Sequence, residues 1–286
     1  MRHALVFGAS GQIGQPLLGR LRRDGWWITA VSREEQNDAP GLHWLRGDFA
    51  QLPELPARVE AIFSCGPLDG FANWYARSRL PASRIVAFGS TSVDTKRGSS
   101  DPEERDVATR LREAEALLYA EAAERDAAVT VLRPTLVYGA GRDATLSRIA
   151  EMAQRWGRFV LPRNATGLRQ PVHVDDLAAA AFACVSAPVS HGRSYALPGG
   201  ETLSYRDMIA RVLAVLEPPP KLIELPSPLF NLALLAAQAG GHATGLGVAA
   251  VRRMRNDLVF DDAPARADFG YAPRPFRPER AMFDSR

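Results

Sequence analysis

The stretch "FGASGQIG", Phe7 to Gly14, follows the apolar run "HALVF" and precedes "QPLLGRLRR", in which Leu17, Leu18 and Leu21 recur at helical spacing. A strand must therefore turn into a helix within a few residues. Gly8, Gly11 and Gly14 stand in a GxxGxxG pattern across that turn. The first glycine permits the sharp turn, the second lets backbone approach a pyrophosphate, and the third lets helix and strand pack closely. The helix N-terminus adds oriented N–H groups and a partial positive charge. The spacing predicts a dinucleotide-binding α/β unit at the start of the chain, the alternative being a purely structural turn.

The pattern then repeats. "WWITAVSR", "LHWLRGDF", "VEAIFSCG", "RIVAFGSTS" and "VTVLRPTLVYG" read as the second to sixth strands. Between the fifth and sixth lies "DPEERDVATRLREAEALLYAEAAER", acidic at its start and apolar at Val107, Leu111, Ala114, Leu117 and Leu118. This predicts an amphipathic helix with Asp101 or Ser100 as N-cap. Strands alternating with helices predict an α/β fold, a Rossmann-type doubly wound parallel sheet. After Gly139 the regularity loosens: "PVHVDDLAAAAFACV" reads as a short strand and a helix, and "ETLSYRDMIARVLAVL" as a helix capped at Thr202 or Ser204. The expected division is a dinucleotide-binding domain over 1–140 with 170–198, and a small C-terminal substrate-cap domain over 141–169 with 199–286. Their shared cleft is expected at the carboxyl ends of the strands.

Composition narrows the function classes. With 46% apolar and 23% charged residues, a chain of 286 residues buries a full core. Its longest apolar stretch, Leu229 to Ala237, stops at Gly240 and Gly241, short of the roughly 20 residues a bilayer span needs. It is expected as a core or lid helix, with no membrane span. Met1 leads straight into a strand without a leader pattern, so a cytoplasmic location is expected. Cys65 and Cys184 have no metal-ligand spacing, which predicts buried free thiols and no metal site. A net charge of +3, with arginines alternating with acids, argues against nucleic acid, and the expected partner is a small-molecule substrate. "RRMR" at Arg252 to Arg255 reads as a solvated helix face.

The end of the second strand bears on cofactor choice. Eighteen residues after Gly14, where an NAD-selective fold places an acid against the ribose 2′-hydroxyl, stand Ser32 and Arg33. A hydroxyl and a guanidinium would bind a 2′-phosphate by charge-assisted hydrogen bonds, which favours NADP over NAD. The alternative for Arg33 is a loop residue paired with Glu34 or Glu35. Asp48, in "RGDF", is placed either to accept from the adenine amino group or to cap a turn.

With the glycine loop, "RGDF", "LRPTLVYGAGRD" and "RQPVHVDDLAAA" in this order, the chain resembles the extended short-chain dehydrogenase/reductases of the NAD-dependent epimerase/dehydratase family. The likeness covers nearly the whole chain, since "YALPGGETLSYRDMIARVL" and "DFGYAPRPFRP" are similar to that group's cap. The resemblance implies that Gly8, Ser10, Gly11, Gln12, Ile13 and Gly14 form the phosphate loop. It puts Cys65, Gly66 and Pro67 along the cofactor's ribose, and Arg133, Pro134 and Thr135 beside the nicotinamide. His173, Val174 and Asp176 match the family's HVxD element, expected to be a short strand and an acidic N-cap.

The chemistry residues depart from the family. Typical members carry a tyrosine as general acid/base four residues before a lysine, and a Ser or Thr at the end of the fifth strand. Ser90 fills the last position. Aligning on "ExLL" at Glu115 to Leu118 puts Val107 and Leu111 where the tyrosine and lysine are expected. Lysine occurs only at Lys96 and Lys221. A positioned proton-transfer group is worth ~10²–10⁴-fold in rate, and arginine cannot replace it. Arg110 and Arg112 are therefore anion clamps at most, or partners of Glu113 and Glu115. Ser90, Thr91, Tyr138, Arg142, Arg169 and His173 are predicted on loops facing the cleft, with Ser90 and Tyr138 as the catalytic candidates. Two readings follow: an atypical NADP-dependent oxidoreductase or epimerase-like protein acting on a hydroxyl or carbonyl substrate, or a non-catalytic NADP-binding sensor, regulator or accessory subunit. Either a monomer or a homodimer is compatible with the charged outer face of the long helix.

Overall fold

The computed structural model describes residues 2–143, 145–239 and 248–283. The first half runs β1 (His3–Phe7), α1 (Gly14–Arg23), β2 (Trp27–Ser32), β3 (Leu42–Arg46), β4 (Val59–Ser64), α2 (Leu68–Arg77) and β5 (Ala82–Phe88). Next come α3 (Ser92–Thr95), α4 (Pro102–Ala123), β6 (Ala128–Pro134), β7 (Val137–Tyr138), α5 (Leu146–Trp156), β8 (Arg158–Pro162), β9 (Leu168–Arg169) and β10 (Val172–His173). The remainder is α6 (Val174–Val185), β11 (Arg193–Leu197), β12 (Leu203–Ser204), α7 (Tyr205–Ala214), β13 (Lys221–Leu225), α8 (Ser227–Ala239), α9 (Val248–Arg253) and α10 (Ala263–Phe269).

Seven strands form one parallel sheet in the order β11-β6-β5-β4-β1-β2-β3, the Rossmann-like arrangement the alternation of elements predicts. Alternation along β1 shows why the sheet has two layers. Ala4 and Val6 pack with Leu17, Leu18 and Leu21 of α1 and Leu177, Ala178 and Ala181 of α6. Leu5 and Phe7 pack on the other face with Phe71 and Trp74 of α2 and Ala114 and Leu118 of α4. A third cluster, built from α5, α7 and β8 and including Phe276 and Phe283, is the core of the cap.

Several expectations change in detail. The sixth strand does not run through Tyr138: β6 ends at Pro134, and β7 leaves the sheet to pair with β10. Proline has no N–H with which to extend the ladder. The edge strand β11 joins β6, and its five residues carry too weak a pattern to be read as a sheet strand. Most of the chain after residue 199 packs in the cap core, but Ala265 of α10 and Tyr271 pack into the cluster shared by α1 and α6. In α8, Leu229, Leu232 and Leu235 are exposed and Phe230 is buried, so of the two expectations for this stretch the core helix is not met. Nor is "RRMR" simply a solvated face: Met254 is buried and Arg253 pairs with Glu104 of α4.

Helix starts follow side-chain chemistry. Asp101 caps α4 by accepting from Glu103 N at 2.9 Å, and Ser204 caps α7 by accepting from Asp207 N at 3.0 Å. At α6 the cap is His173 rather than an acid, its Nδ1 accepting from Asp175 N at 3.2 Å. Asp176, one position further on, instead accepts from Arg274 N and Nε, both at 2.9 Å, tying the C-terminal segment to α6.

Under the sheet sits Arg84 of β5, 5% exposed. It donates to Ala128 O, Thr130 Oγ1, Cys184 O and Ser190 Oγ at 2.6–2.9 Å, all neutral oxygens from β6, the end of α6 and the turn after it. No carboxylate among the described residues lies within ion-pair distance of it.

Candidate functional site

The phosphate loop is built around close backbone contacts. Gly8 has φ +65°, and a Cβ there would lie 2.8 Å from Cys65 C and 2.9 Å from Gly66 N. A Cβ on Gly14 would lie 2.3 Å from Gly8 O, so strand and helix touch backbone to backbone. Helix α1 then starts with Ile13 in the cap position, no capping side chain and no acid in its first turn. Helices α4, α6 and α7 carry side-chain caps, whereas α2, also uncapped, has Asp69 in its first turn. Gln15 N donates to Gly11 O and Pro16 has no N–H, so the donors left at the α1 terminus are those of Gln12, Ile13 and Gly14, beside the positive dipole, as an anion-binding loop requires. Gln12 Oε1 and Ser64 Oγ, both next to this loop, are buried without a hydrogen-bond partner among the described residues. These features fit a dinucleotide diphosphate.

Beside the loop, Ser32 is buried, and its Oγ lies 3.1 Å from Ser10 Oγ and accepts from Glu34 N. Arg33 is exposed and forms no ion pair with Glu34 or Glu35. Asp48 takes the turn role: its Oδ1 accepts from Ala50 N at 2.8 Å and Gln51 N at 3.0 Å. Those backbone bonds hold its carboxyl below the ordinary value, and the Arg33 charge adds to the effect. Cys65 donates its N–H to Phe7 O at 2.9 Å, Gly66 packs against the Phe49 ring, and Pro67 leads into α2.

The strand ends at β5 and β6 are knitted together. Gly89 N donates to Leu132 O at 2.8 Å, and the Thr91 backbone and hydroxyl both donate to Pro134 O. Thr135 Oγ1 donates to Gln170 O, and Arg133 pairs with Glu115, its Nε 2.9 Å from Oε1. The polar side chains at the β6 end are therefore engaged within the protein. Ser90 is half-buried and its Oγ accepts from Ser92 N at 3.1 Å, which leaves the hydroxyl proton free to donate.

Of the six residues expected to face the cleft, Thr91, Tyr138, Arg169 and His173 are instead buried and structural. Tyr138 has no exposed surface, and its ring packs edge-on against His173 and Phe276 in the cap core. A fully packed phenol, its pKa raised by burial, cannot reach a substrate, which removes Tyr138 from the catalytic candidates. Arg169 is spent on Leu168 O and Asn256 O and lies over the Tyr205 ring. Ser90 and Arg142 remain accessible. Sequence reasoning missed where Arg142 points: its Nη1 donates to Ser10 O at 2.9 Å, in the phosphate loop. The flanking Gly139, Gly141 and Asp143 were the available signal of a shaped loop.

The fold has known counterparts. Residues 94–197 match the NAD dependent epimerase/dehydratase family. It is the family whose motifs the sequence resembles. A 2-alkyl-3-oxoalkanoate reductase of Stenotrophomonas maltophilia is 24% identical over 315 residues, covering 94% of this chain and 94% of the relative. An uncharacterised protein of Sinorhizobium fredii is 24% identical over 302 residues, covering 96% of this chain and 75% of that protein. Among solved structures, the terminal R domain of the myxalamid PKS-NRPS biosynthetic pathway superposes with a TM-score of 0.73 at 19% identity, covering 99% of this chain and 89% of that one. MoeE5 in complex with UDP-glucose and NAD superposes with a TM-score of 0.68 at 19% identity, covering 96% and 94%. The epimerases and reductases of this group share the fold described above.

Proposed function

We propose that the protein is an NADP-preferring oxidoreductase or epimerase-like protein that acts on a hydroxyl- or carbonyl-bearing small molecule without the family's tyrosine–lysine pair. The observation that carries this reading is the uncapped, acid-free start of α1, with Ser32 and an Arg33 that has no ion pair among the described residues where an NAD-selective site has an acid. Gly8 to Gly14 would hold the diphosphate, and Ser32 with Arg33 the 2′-phosphate. Hydride transfer is the chemistry a bound nicotinamide supplies. Ser90 would orient the substrate oxygen and donate a hydrogen bond to the charge developing there, with the proton that completes the alcohol coming from solvent. The relative named as a 2-alkyl-3-oxoalkanoate reductase supports carbonyl reduction as the first reaction class to assay.

One observation favours the second reading, a non-catalytic NADP-binding sensor, regulator or accessory subunit. On α4, Leu111 packs against the core and Val107 stands one turn before it, so the usual acid/base positions hold apolar groups. Turnover would then be absent, or ~10²–10⁴-fold below that of an enzyme with the pair.

Titration with NADPH and NADH, followed by nicotinamide fluorescence, tests the cofactor site. Tighter binding of NADPH, weakened about 10–100-fold in Arg33→Asp with NADH little changed, is expected from the loss of a charge-assisted contact. Absence of binding by either nucleotide would overturn both readings.

A further inference from the structure

We propose that Arg142 is a clamp for the diphosphate of the bound dinucleotide, carried by the cap and seated on the phosphate loop before the ligand arrives. The inference rests on the reading of that loop as a dinucleotide site. Arg142 Nη1 donates to Ser10 O at 2.9 Å across 132 residues of sequence, so its guanidinium lies against the turn between Gly8 and Gly11. One donor is engaged there, and a guanidinium has five. The side chain is exposed, and no carboxylate among the described residues lies within 4.0 Å of it. A cationic group and the positive end of α1 thus stand together without an acid between them, an arrangement that an anion stabilises.

The loop that carries Arg142 is fixed on both sides. Gly139 has φ +115°, and a Cβ there would lie 2.4 Å from His173 Nε2, so backbone lies directly on that ring. On the far side Asp143 is buried. Its Oδ1 accepts from Thr145 N and Ser147 N, both at 3.1 Å, and its Oδ2 from Ser147 Oγ at 2.6 Å. These bonds start α5, whose Leu146, Ile149, Ala150 and Ala153 belong to the cap core. The guanidinium is therefore held out from the cap rather than hanging from a free loop, and little ordering is needed for it to bind. Planar bidentate donors match a phosphate oxygen pair, and the α1 N–H groups serve the second phosphate. The diphosphate would join the cap to the sheet domain through one charge.

Binding of NADPH and of ADP, which keeps the diphosphate and lacks the 2′-phosphate, should be measured for wild type, Arg142→Ala, Arg142→Lys and Arg33→Asp. The clamp predicts that Arg142→Ala weakens both ligands about 10–100-fold, that Arg142→Lys restores part of the loss, and that Arg33→Asp affects NADPH but not ADP. If wild type binds both ligands and Arg142→Ala and Arg142→Lys bind ADP equally well, the clamp is wrong and the dinucleotide site stands. If wild type binds neither, the phosphate-loop reading fails and the clamp with it. Thermal melting of each variant separates loss of contact from loss of fold. Should Arg142→Ala not fold, Arg142→Lys carries the test alone, since unchanged ADP affinity there would exclude a forked contact.

Discussion

Glu115 of α4 and Arg133 of β6 form a two-pronged pair directly behind the end of β5. The carboxylate is 5% exposed, and a Cβ on Gly89 would sit 3.2 Å from its Oε1. Desolvation works against the Arg133 charge, but the Glu115 carboxylate outweighs it and raises the guanidinium's pKa. The pair holds the long helix against the sheet one turn after Leu111.

Removing the carboxylate leaves Arg133 half-buried without its main counter-charge. Glu115→Ala is expected to lower stability by about 2–4 kcal/mol, Glu115→Gln by less, and Glu115→Leu combined with Arg133→Met to recover part of the loss. Urea unfolding midpoints at constant m-value check the order of the three.

His173 should make the fold acid-sensitive. Its Nδ1 must be unprotonated to accept from Asp175 N, and burial with the Arg274 charge lowers its pKa below 6.5, against the opposing pull of Asp175, Asp176 and Glu279. A depressed folded pKa contributes stability that is present above about pH 6.5 and lost as pH falls through the folded value. Wild type should therefore lose more stability between pH 7 and pH 5 than His173→Asn, which keeps a capping oxygen. His173→Ala should cost about 1 kcal/mol at pH 7. Equal pH slopes in wild type and His173→Asn would contradict this account.

Two glycines of one helix should respond in opposite senses. Gly14→Ala forces a Cβ to 2.3 Å from Gly8 O, where only backbone could yield, and is expected to cost about 3 kcal/mol or more. At exposed Gly19 nothing lies within 4 Å, so Gly19→Ala should gain about 0.5–1 kcal/mol from helix propensity. Thermal melts of the two variants decide it.

Both thiols should be inert in the native protein. Cys184 is fully buried and Cys65, against expectation, only partly so, and desolvation pushes each thiol up to about 12, so almost no thiolate exists at pH 8. Iodoacetamide is expected to modify neither until urea is added, as intact-mass measurement would register.

Much of the sheet was legible because apolar alternation and glycine punctuation report burial directly. β1, the glycine turn, α1 and the Asp101 and Ser204 caps stand where those local signals put them. The cleft was harder, since a polar residue at a strand end has the same local signature whether it faces solvent or a partner across the fold. Thr91, Arg169 and His173 found backbone partners, some more than 80 residues away, and Tyr138 found the cap core. The contact between Arg142 and Ser10 is equally invisible in sequence, because it depends on how the cap loop folds back over the first turn of the chain.

Arg84 carries a consequence for the order in which this chain can assemble. Its solvation shell is made of protein, from β6, the last turn of α6 and Ser190, segments up to 106 residues away. An intermediate that pairs β5 with β6 before α6 docks would supply Ala128 O and Thr130 Oγ1 but not yet Cys184 O or Ser190 Oγ. Part of a half-desolvated cation would be left without acceptors, a cost of about 1–3 kcal/mol for each missing bond. Such half-built sheets are selected against, and the late-synthesised half of the chain becomes a condition for closing the early half.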